Sequence, residues 1–334
     1  MTTYKAISFG LGPIGASIAK LALKRNKEIE IIGAVDVNPS FVGKDLSEVI
    51  GLGSSTGIKV RNSASQIYPQ ADVLLHATSS FLSVAKGQFA EFCENKVDVV
   101  STCEELSFPW YNHREIASEL DALAKKHGVT LLGTGVNPGF VMDALPITLS
   151  GACASVTSLK VTRVLDAAKR RLPFQKKVGI GLSVGEFEEN VRTGKFGHIG
   201  LPESMSMICS SLGLDVDRID QKVSPKIATE EVNTQHFGLV SKGKVIGLVQ
   251  DGYAFSRGRQ LATFHIEMYA GAKDPRDEIV IEGEPNISLV IPGGTPGDIA
   301  TAAVVVNSLP RVVDAKPGLL TVKELRPASS VFSR

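Results

Sequence analysis

Gly10-Leu11-Gly12-Pro13-Ile14-Gly15 decides how this chain is read. The six residues follow an apolar run, Ala6-Ile7-Ser8-Phe9, and open a helical pattern through Ile14, Ile18, Leu21 and Leu23. Each glycine of such a turn has its own task. The first makes the tight turn, the second lets backbone approach a pyrophosphate, and the third lets helix pack closely on strand. The helix start adds unpaired N–H groups and the positive end of its dipole. Gly10, Gly12, Pro13, Ile14 and Gly15 are therefore expected to cradle a dinucleotide.

Asp36 strengthens this expectation. It stands 21 residues after Gly15, at the end of the next apolar run, Ile29 to Val35. A carboxylate there accepts hydrogen bonds from the adenosine ribose and repels a 2′-phosphate. Val37 and Asn38 follow with no arginine to compensate. The pattern favours NAD, with NADP as the second possibility.

Outward from the loop, short apolar runs continue at Val73–His76, Val97–Ser101 and Val129–Leu132, separated by helical patterns. Val/Ile/Leu-rich runs without alternation suit strands buried on both faces. The expected fold is α/β, a Rossmann-type doubly wound parallel sheet. Ligands in such sheets bind beyond the carboxyl ends of the strands. That places Ala77, Thr78 and Ser79, and likewise Thr102 and Cys103, near the cofactor.

After Pro138 the rhythm changes. Strand-like runs at Leu159–Val164, Lys244–Gln250, Gln260–Tyr269 and Glu278–Glu282 are separated by turn signals such as Ser241-Lys242-Gly243 and Asp251-Gly252. Two helical patterns, 184–192 and 203–213, lie among them. This is expected to be an α+β substrate domain with an open mixed sheet, residues 139–296. The helix Ile299–Leu309 after the glycine- and proline-rich 292–297 is expected to return to the first domain, which then comprises 1–138 and 297–334.

Composition excludes several function classes. With 36 basic and 35 acidic residues, the net charge of +1 offers no general attraction to nucleic acid or anionic membrane. No apolar run approaches the roughly 18 residues of a membrane span. The start shows no signal-peptide pattern, and four scattered cysteines form no C-x-x-C pair. A cytoplasmic protein is expected. The six histidines show no metal-ligand spacing, so no metal is expected.

Glu104 and Glu105 close the Val97 run. A half-buried carboxylate beside a nicotinamide would have a raised pKa and suit proton transfer. Paired glutamates are also ordinary helix-start residues, and spacing does not choose between them. In the second domain, Arg163, Arg170 and Arg171 can hold a substrate carboxylate bidentately, or form a solvated basic loop. His198, between Gly197 and Ile199-Gly200, can orient substrate or serve a structural end.

The runs Ser101-Thr102-Cys103-Glu104-Glu105-Leu106, Gly135-Val136-Asn137-Pro138-Gly139-Phe140 and Arg170-Arg171-Leu172-Pro173, with the tail from Gly293-Gly294 to Asn307, resemble those of 2,4-diaminopentanoate dehydrogenases. These and the related amine dehydrogenases share the dihydrodipicolinate reductase-like fold. The resemblance implies reversible NAD(P)-linked oxidative deamination of an amine to a ketone plus ammonia. It implies Glu104 as the catalytic carboxylate, Pro138 at the nicotinamide and Phe140 lining the pocket. Asn137 is expected at the cofactor beside Pro138, and Arg163, Arg171 and His198 toward substrate. Dihydrodipicolinate reductase itself is disfavoured, because its paired histidines and following lysine have no counterpart around Asp166 to Arg171. Another small-substrate dehydrogenase on this fold and a non-catalytic NAD-binding regulator remain as alternatives. A homodimer is expected, since open sheet faces in such second domains commonly pair.

Overall fold

A computed structural model describes residues 3–65 and 67–331. The strands, in chain order, are β1 (Tyr4–Phe9), β2 (Ile29–Val35), β3 (Val60–Arg61), β4 (Val73–His76), β5 (Asp98–Ser101), β6 (Thr130–Gly133), β7 (Ser155–Asp166), β8 (Arg218–Ile227), β9 (Val232–Thr234), β10 (Gly238–Val240), β11 (Val245–Ser256), β12 (Arg259–Tyr269), β13 (Arg276–Glu284), β14 (Ile287–Pro292) and β15 (Gly318–Leu320). Contacts divide the chain into two units. One runs to Ala144 and resumes at Pro296; the other is Leu145–Thr295.

In the first unit the order is β15-β6-β5-β4-β1-β2-β3, and every pairing is parallel. Ile7, Leu74, Leu75, Val99, Val100, Leu131 and Leu132 are buried, as strands covered by helices on both faces require. One face packs on the helices Leu82–Glu94 and Arg114–His127 through Phe89, Phe92, Leu120 and Ala124. The other packs on Pro13–Lys24 and Gly297–Val313 through Ile18, Ala22, Val305 and Leu309. The late helix is tied further where Arg25 Nη1 donates to Asn307 Oδ1 at 2.7 Å. Strand order reverses between β1 and β4, and crevices at such a point open at the carboxyl ends of the strands. The doubly wound expectation holds, with β15 added at one edge.

The second unit is built on the order β14-β13-β7-β12-β11-β8. β7 and β12 run parallel while the other neighbours run antiparallel, so the sheet is mixed as expected. From Leu248 in β11 and from Ala262 in β12, even-numbered residues are buried and odd ones half-exposed, the alternation of a sheet with one covered face. Asp251-Gly252 is not a turn. Both residues lie inside β11, where a Cβ on Gly252 would meet Leu201 and Met205 at 2.9 Å each. The glycine marks a close approach of the helix Leu201–Ser211. The hairpin turn comes at Arg257-Gly258, both with positive φ.

The first unit extends six residues past Pro138 because Phe140–Asp143 folds back locally. Val141 N donates to Val136 O at 3.0 Å, and Gly139 N donates to the fully buried Asp143 carboxylate at 2.8 Å. Among the described residues no helix is long and apolar enough to cross a membrane, and no His/Cys/Asp/Glu cluster could hold a metal.

Candidate active site

The glycine loop is shaped by what its glycines must avoid. Gly10 has φ +86°, and a Cβ there would lie 2.4 Å from Ala77 O. A Cβ on Gly15 would lie 1.7 Å from Gly10 O. Turn, helix start and the end of β4 are thus in backbone contact, which only hydrogen at those Cα atoms permits. Gly12 differs: nothing lies within 4 Å of its Cβ position. The space in front of it is open, as close approach of a diphosphate requires. The first intrahelical bond runs from Ala16 N to Gly12 O at 2.8 Å. The Ile14 and Gly15 N–H groups precede that ladder, and no acidic side chain opposes an anion in the first turn.

Asp36 is buried at the end of β2. Its Oδ2 accepts from Leu11 N at 2.6 Å and its Oδ1 from Asn38 N at 2.8 Å. The carboxylate therefore clamps the glycine loop, while each oxygen keeps a lone pair for a further donor. Arg61 was not anticipated. It pairs with Val35 in the β2–β3 ladder and its carbonyl accepts from Asp36 N at 3.0 Å. An exposed arginine thus stands beside Asp36 in the sheet, 25 residues beyond it in sequence. Only the pairing of a two-residue strand reveals it.

The ends of β4 and β5 are laced together. Thr102 N donates to His76 O at 3.0 Å, and Cys103 Sγ donates to Ser80 O at 3.3 Å. Burial pushes the Cys103 thiol up to about 12, so it stays protonated and packs as an apolar group. Thr78 is exposed and Ser79 Oγ accepts from Phe81 N at 3.1 Å. The two glutamates separate here. Glu105 Oε2 accepts from Leu82 N at 2.6 Å, at the start of the helix Leu82–Glu94, and lies 3.2 Å from His113 Nε2. Glu104 is half-buried at the head of the 3-10 turn Glu104–Ser107, whose Ser107 hydroxyl donates to Glu104 O at 2.7 Å.

Beyond β6 the Asn137–Pro138 peptide bond is cis. Asn137 Nδ2 donates to Met142 Sδ at 3.1 Å, while its buried Oδ1 has no partner among the described residues. Phe140 is 37% exposed, too open for a core aromatic.

The second unit treats its predicted residues differently. Arg163 is only 3% exposed; Nη1 lies 3.0 Å from Asp277 Oδ1 and Nη2 donates to Thr295 O at 2.8 Å. Burial pulls its pKa down and Asp277 opposes that pull. The guanidinium is thus held in a buried ion pair. Arg171 caps the helix Leu172–Lys177, and Arg170 stacks on the Phe174 ring at 4.7 Å. His198 N donates to Gln250 Oε1 at 2.6 Å, and the ring Nε2 is shielded from solvent without a partner among the described residues. Burial, then Lys177 and Arg163, pull its pKa down to about 3, so the ring is neutral.

A glycine loop at the switch point of a parallel sheet, an acidic residue ending the second strand and a mixed-sheet second unit define an NAD(P)-binding dehydrogenase of the dihydrodipicolinate reductase-like fold. Residues 6–106 match the dihydrodipicolinate reductase N-terminal model, and residues 140–333 match the 2,4-diaminopentanoate dehydrogenase C-terminal domain. The chain belongs to the 2,4-diaminopentanoate dehydrogenase family. A 2,4-diaminopentanoate dehydrogenase from Acetoanaerobium sticklandii is 33% identical, with 97% of this chain and 94% of that protein covered. An amine dehydrogenase from Streptomyces virginiae is 23% identical, with 98% of each covered. The solved structure of an amine dehydrogenase from Mycobacterium smegmatis superposes with a TM-score of 0.84 at 28% identity, covering 99% of this chain and 98% of that one. The chain is accordingly an oxidoreductase, and the family resemblance read from its motifs is correct.

Proposed function

We propose that the protein catalyses reversible NAD(P)-dependent oxidative deamination of a small amine to a ketone and ammonia, with Glu104 handling the proton. The observation that carries the assignment is the place of Glu104, half-buried at the head of the turn that follows β5, beyond the carboxyl end of a strand of the parallel sheet. Glu105 is turned to Leu82 N and His113. Gly12's open approach and the unpartnered Asn137 Oδ1 fit a nicotinamide dinucleotide.

Bound NAD(P) supplies a hydride acceptor. The Glu104 carboxylate takes a proton from the substrate ammonium, freeing the nitrogen lone pair. With that proton passed on to solvent, the recovered negative charge of Glu104 stabilises the iminium that forms on the substrate as hydride leaves the adjacent carbon. Water then adds to the iminium carbon and ammonia departs; in reverse, ammonia adds to the ketone, water leaves, and the iminium is reduced. Pro138 and Phe140 supply apolar walls. His198, neutral with a vacant Nε2, and Arg171 are the second-unit groups suited to a polar substituent on the substrate.

Asp36 favours NAD, and Arg61 beside it supports acceptance of NADP as well. The free thiols of Cys93, Cys103, Cys153 and Cys209 support a reducing, cytoplasmic setting. The half-exposed face of the six-stranded sheet, carrying Val249, Tyr253, Leu261 and Tyr269, supports a homodimer; a monomer mass by light scattering would overturn that part.

The test follows reduced-nicotinamide absorbance with a panel of amines, including 2,4-diaminopentanoate and carboxylate-free amines. Glu104→Gln is expected to lower kcat by about 10²–10⁴-fold, while Glu105→Gln keeps it within a few-fold. Equal turnover by Glu104→Gln and the unaltered enzyme would overturn the assignment.

A further inference from the structure

His76 is the last residue of β4, fully buried, and the chemistry above gives it no part. Its ring is packed edge-on against Phe9 and Phe89, with centroids 5.9 and 4.7 Å away. Yet both nitrogens are engaged. Nδ1 lies 2.8 Å from Ser101 Oγ, and Nε2 lies 2.8 Å from both Gln88 Oε1 and Thr78 Oγ1.

The partners fix the proton. Gln88 Oε1 can only accept, so Nε2 carries the hydrogen. The Thr78 hydroxyl donates to the same Gln88 oxygen at 2.7 Å. Nδ1 is then an acceptor, and Ser101 Oγ–H donates to it. Ser101 Oγ in turn accepts from Cys103 N at 3.0 Å. One polar chain therefore runs Gln88 and Thr78, His76, Ser101, Cys103, and Cys103 is bonded covalently to Glu104. A second proton on the ring would turn the Nδ1 acceptor into a donor and break the Ser101 link. Burial pulls the His76 pKa down to about 4, which keeps the ring neutral across the working range.

We propose that His76 is a positioning residue that couples two parts of the nucleotide-site rim: through Nε2 it sets the Thr78 loop, and through Nδ1 and Ser101 it sets the turn carrying Glu104. Burial requires both nitrogens to be satisfied, and two of the partners chosen, Ser101 and Thr78, stand where β5 and β4 end. An apolar residue of similar shape would pack against Phe9 and Phe89 but would leave Ser101 and Thr78 without direction.

This inference rests on the dehydrogenase reading, and two substitutions separate its halves. His76→Gln places an amide N–H near the Nε2 position and loses the Ser101 contact. His76→Asn places an amide oxygen near the Nδ1 position and loses Gln88 and Thr78. His76→Gln is expected to lower kcat by about tenfold or more with the dissociation constant for NADH, read by nucleotide fluorescence, within twofold. His76→Asn is expected to weaken NADH several-fold and keep most of kcat. Ser101→Ala should reproduce the His76→Gln kinetics, and combining the two should add little. In the unaltered protein, the ¹⁵N chemical shifts of the ring should report the neutral Nε2–H tautomer. The proposal is overturned if Gln and Asn change kcat and NADH binding in parallel, if neither changes them while thermal stability falls, or if the Nδ1–H tautomer is observed. Absence of NAD(P)-linked amine turnover in the unaltered enzyme would refute the functional reading instead, since the tautomer and NADH binding would still be measurable.

Discussion

Asp277→Asn tests whether Arg163 belongs to the scaffold or to the substrate. Arg163 and Asp277 are each 3% exposed and 3.0 Å apart. Both also hold Thr295, the last residue of the second unit: Asp277 Oδ2 accepts from its N–H at 2.7 Å, and Arg163 Nη2 donates to its carbonyl at 2.8 Å. An asparagine preserves an acceptor for Thr295 but leaves the guanidinium buried without a counter-charge. Breaking one side of such a pair costs about 3–5 kcal/mol. For a unit of this size, roughly 2–4 °C per kcal/mol converts that into a fall of about 6–20 °C in the second-unit transition. Scanning calorimetry reads it directly. The double replacement Arg163→Met with Asp277→Leu removes both charges and should recover most of the loss, because the desolvation cost disappears with them. Its KM for a carboxylate-bearing amine should stay within about twofold of the unaltered value, against the roughly tenfold that each 1.4 kcal/mol of lost binding would give. A loss below about 1 kcal/mol for Asp277→Asn would refute the reasoning. So would a KM increase in the double variant confined to carboxylate-bearing substrates, which would return Arg163 to the substrate.

Gly12→Ala should leave the melting temperature unchanged yet weaken NADH by about tenfold or more, because its methyl meets only the ligand's space. Gly15→Ala, whose methyl would strike Gly10 O, should instead lower stability measurably by the same thermal scan. Arg61→Ala should reduce kcat/KM with NADP by about tenfold while changing the NAD value less than twofold; equal effects on both would deny it the 2′-phosphate. The lowered pKa values of His76 and His198, about 4 and about 3, make the unfolded chain bind more protons below its histidine pKa near 6.5. Their stabilising effect is therefore complete above pH 6.5 and is lost as pH falls toward 4. Urea unfolding of His76→Gln across this window should show a slope shallower by about one proton.

The cofactor half of the molecule was legible because its signals are local. A glycine turn, an acidic residue one strand later and unalternated Val/Ile/Leu runs each report on neighbours in sequence. β8 was missed for a physical reason: Arg-Ile-Asp-Gln-Lys-Val-Ser-Pro-Lys-Ile carries charges and a proline, the composition of a strand at a sheet edge, where β8 lies. Asp251-Gly252 looked like a turn because the packing of Leu201 and Met205 over Gly252 is invisible in the local string. Glu105 finds its partner at Leu82, 23 residues away, and Arg163 finds Asp277 at much greater separation. Arg61 became meaningful only through its register with Val35. Apart from β8, what stayed hidden is long-range pairing and packing, which periodicity and motif spacing do not encode.

The helix Gly297–Val313 and strand β15 carry a consequence for how the protein is made. Both belong to the first unit, yet they follow the whole second unit in the chain. Until they emerge, the face of the parallel sheet formed by Ala6, Val73, Leu75, Val100 and Leu132 lacks its cover of Val305, Val306 and Leu309. β6 also presents an unpaired edge to the cell until β15 arrives. The inserted second unit is complete before either event. Vectorial synthesis thus delivers the second unit first, while the parallel sheet waits on the segment from Gly297 to Leu320. Chains truncated just before Pro296 should therefore retain the second unit's fold and lose the first, appearing in cells as aggregation-prone fragments rather than as a weakened enzyme.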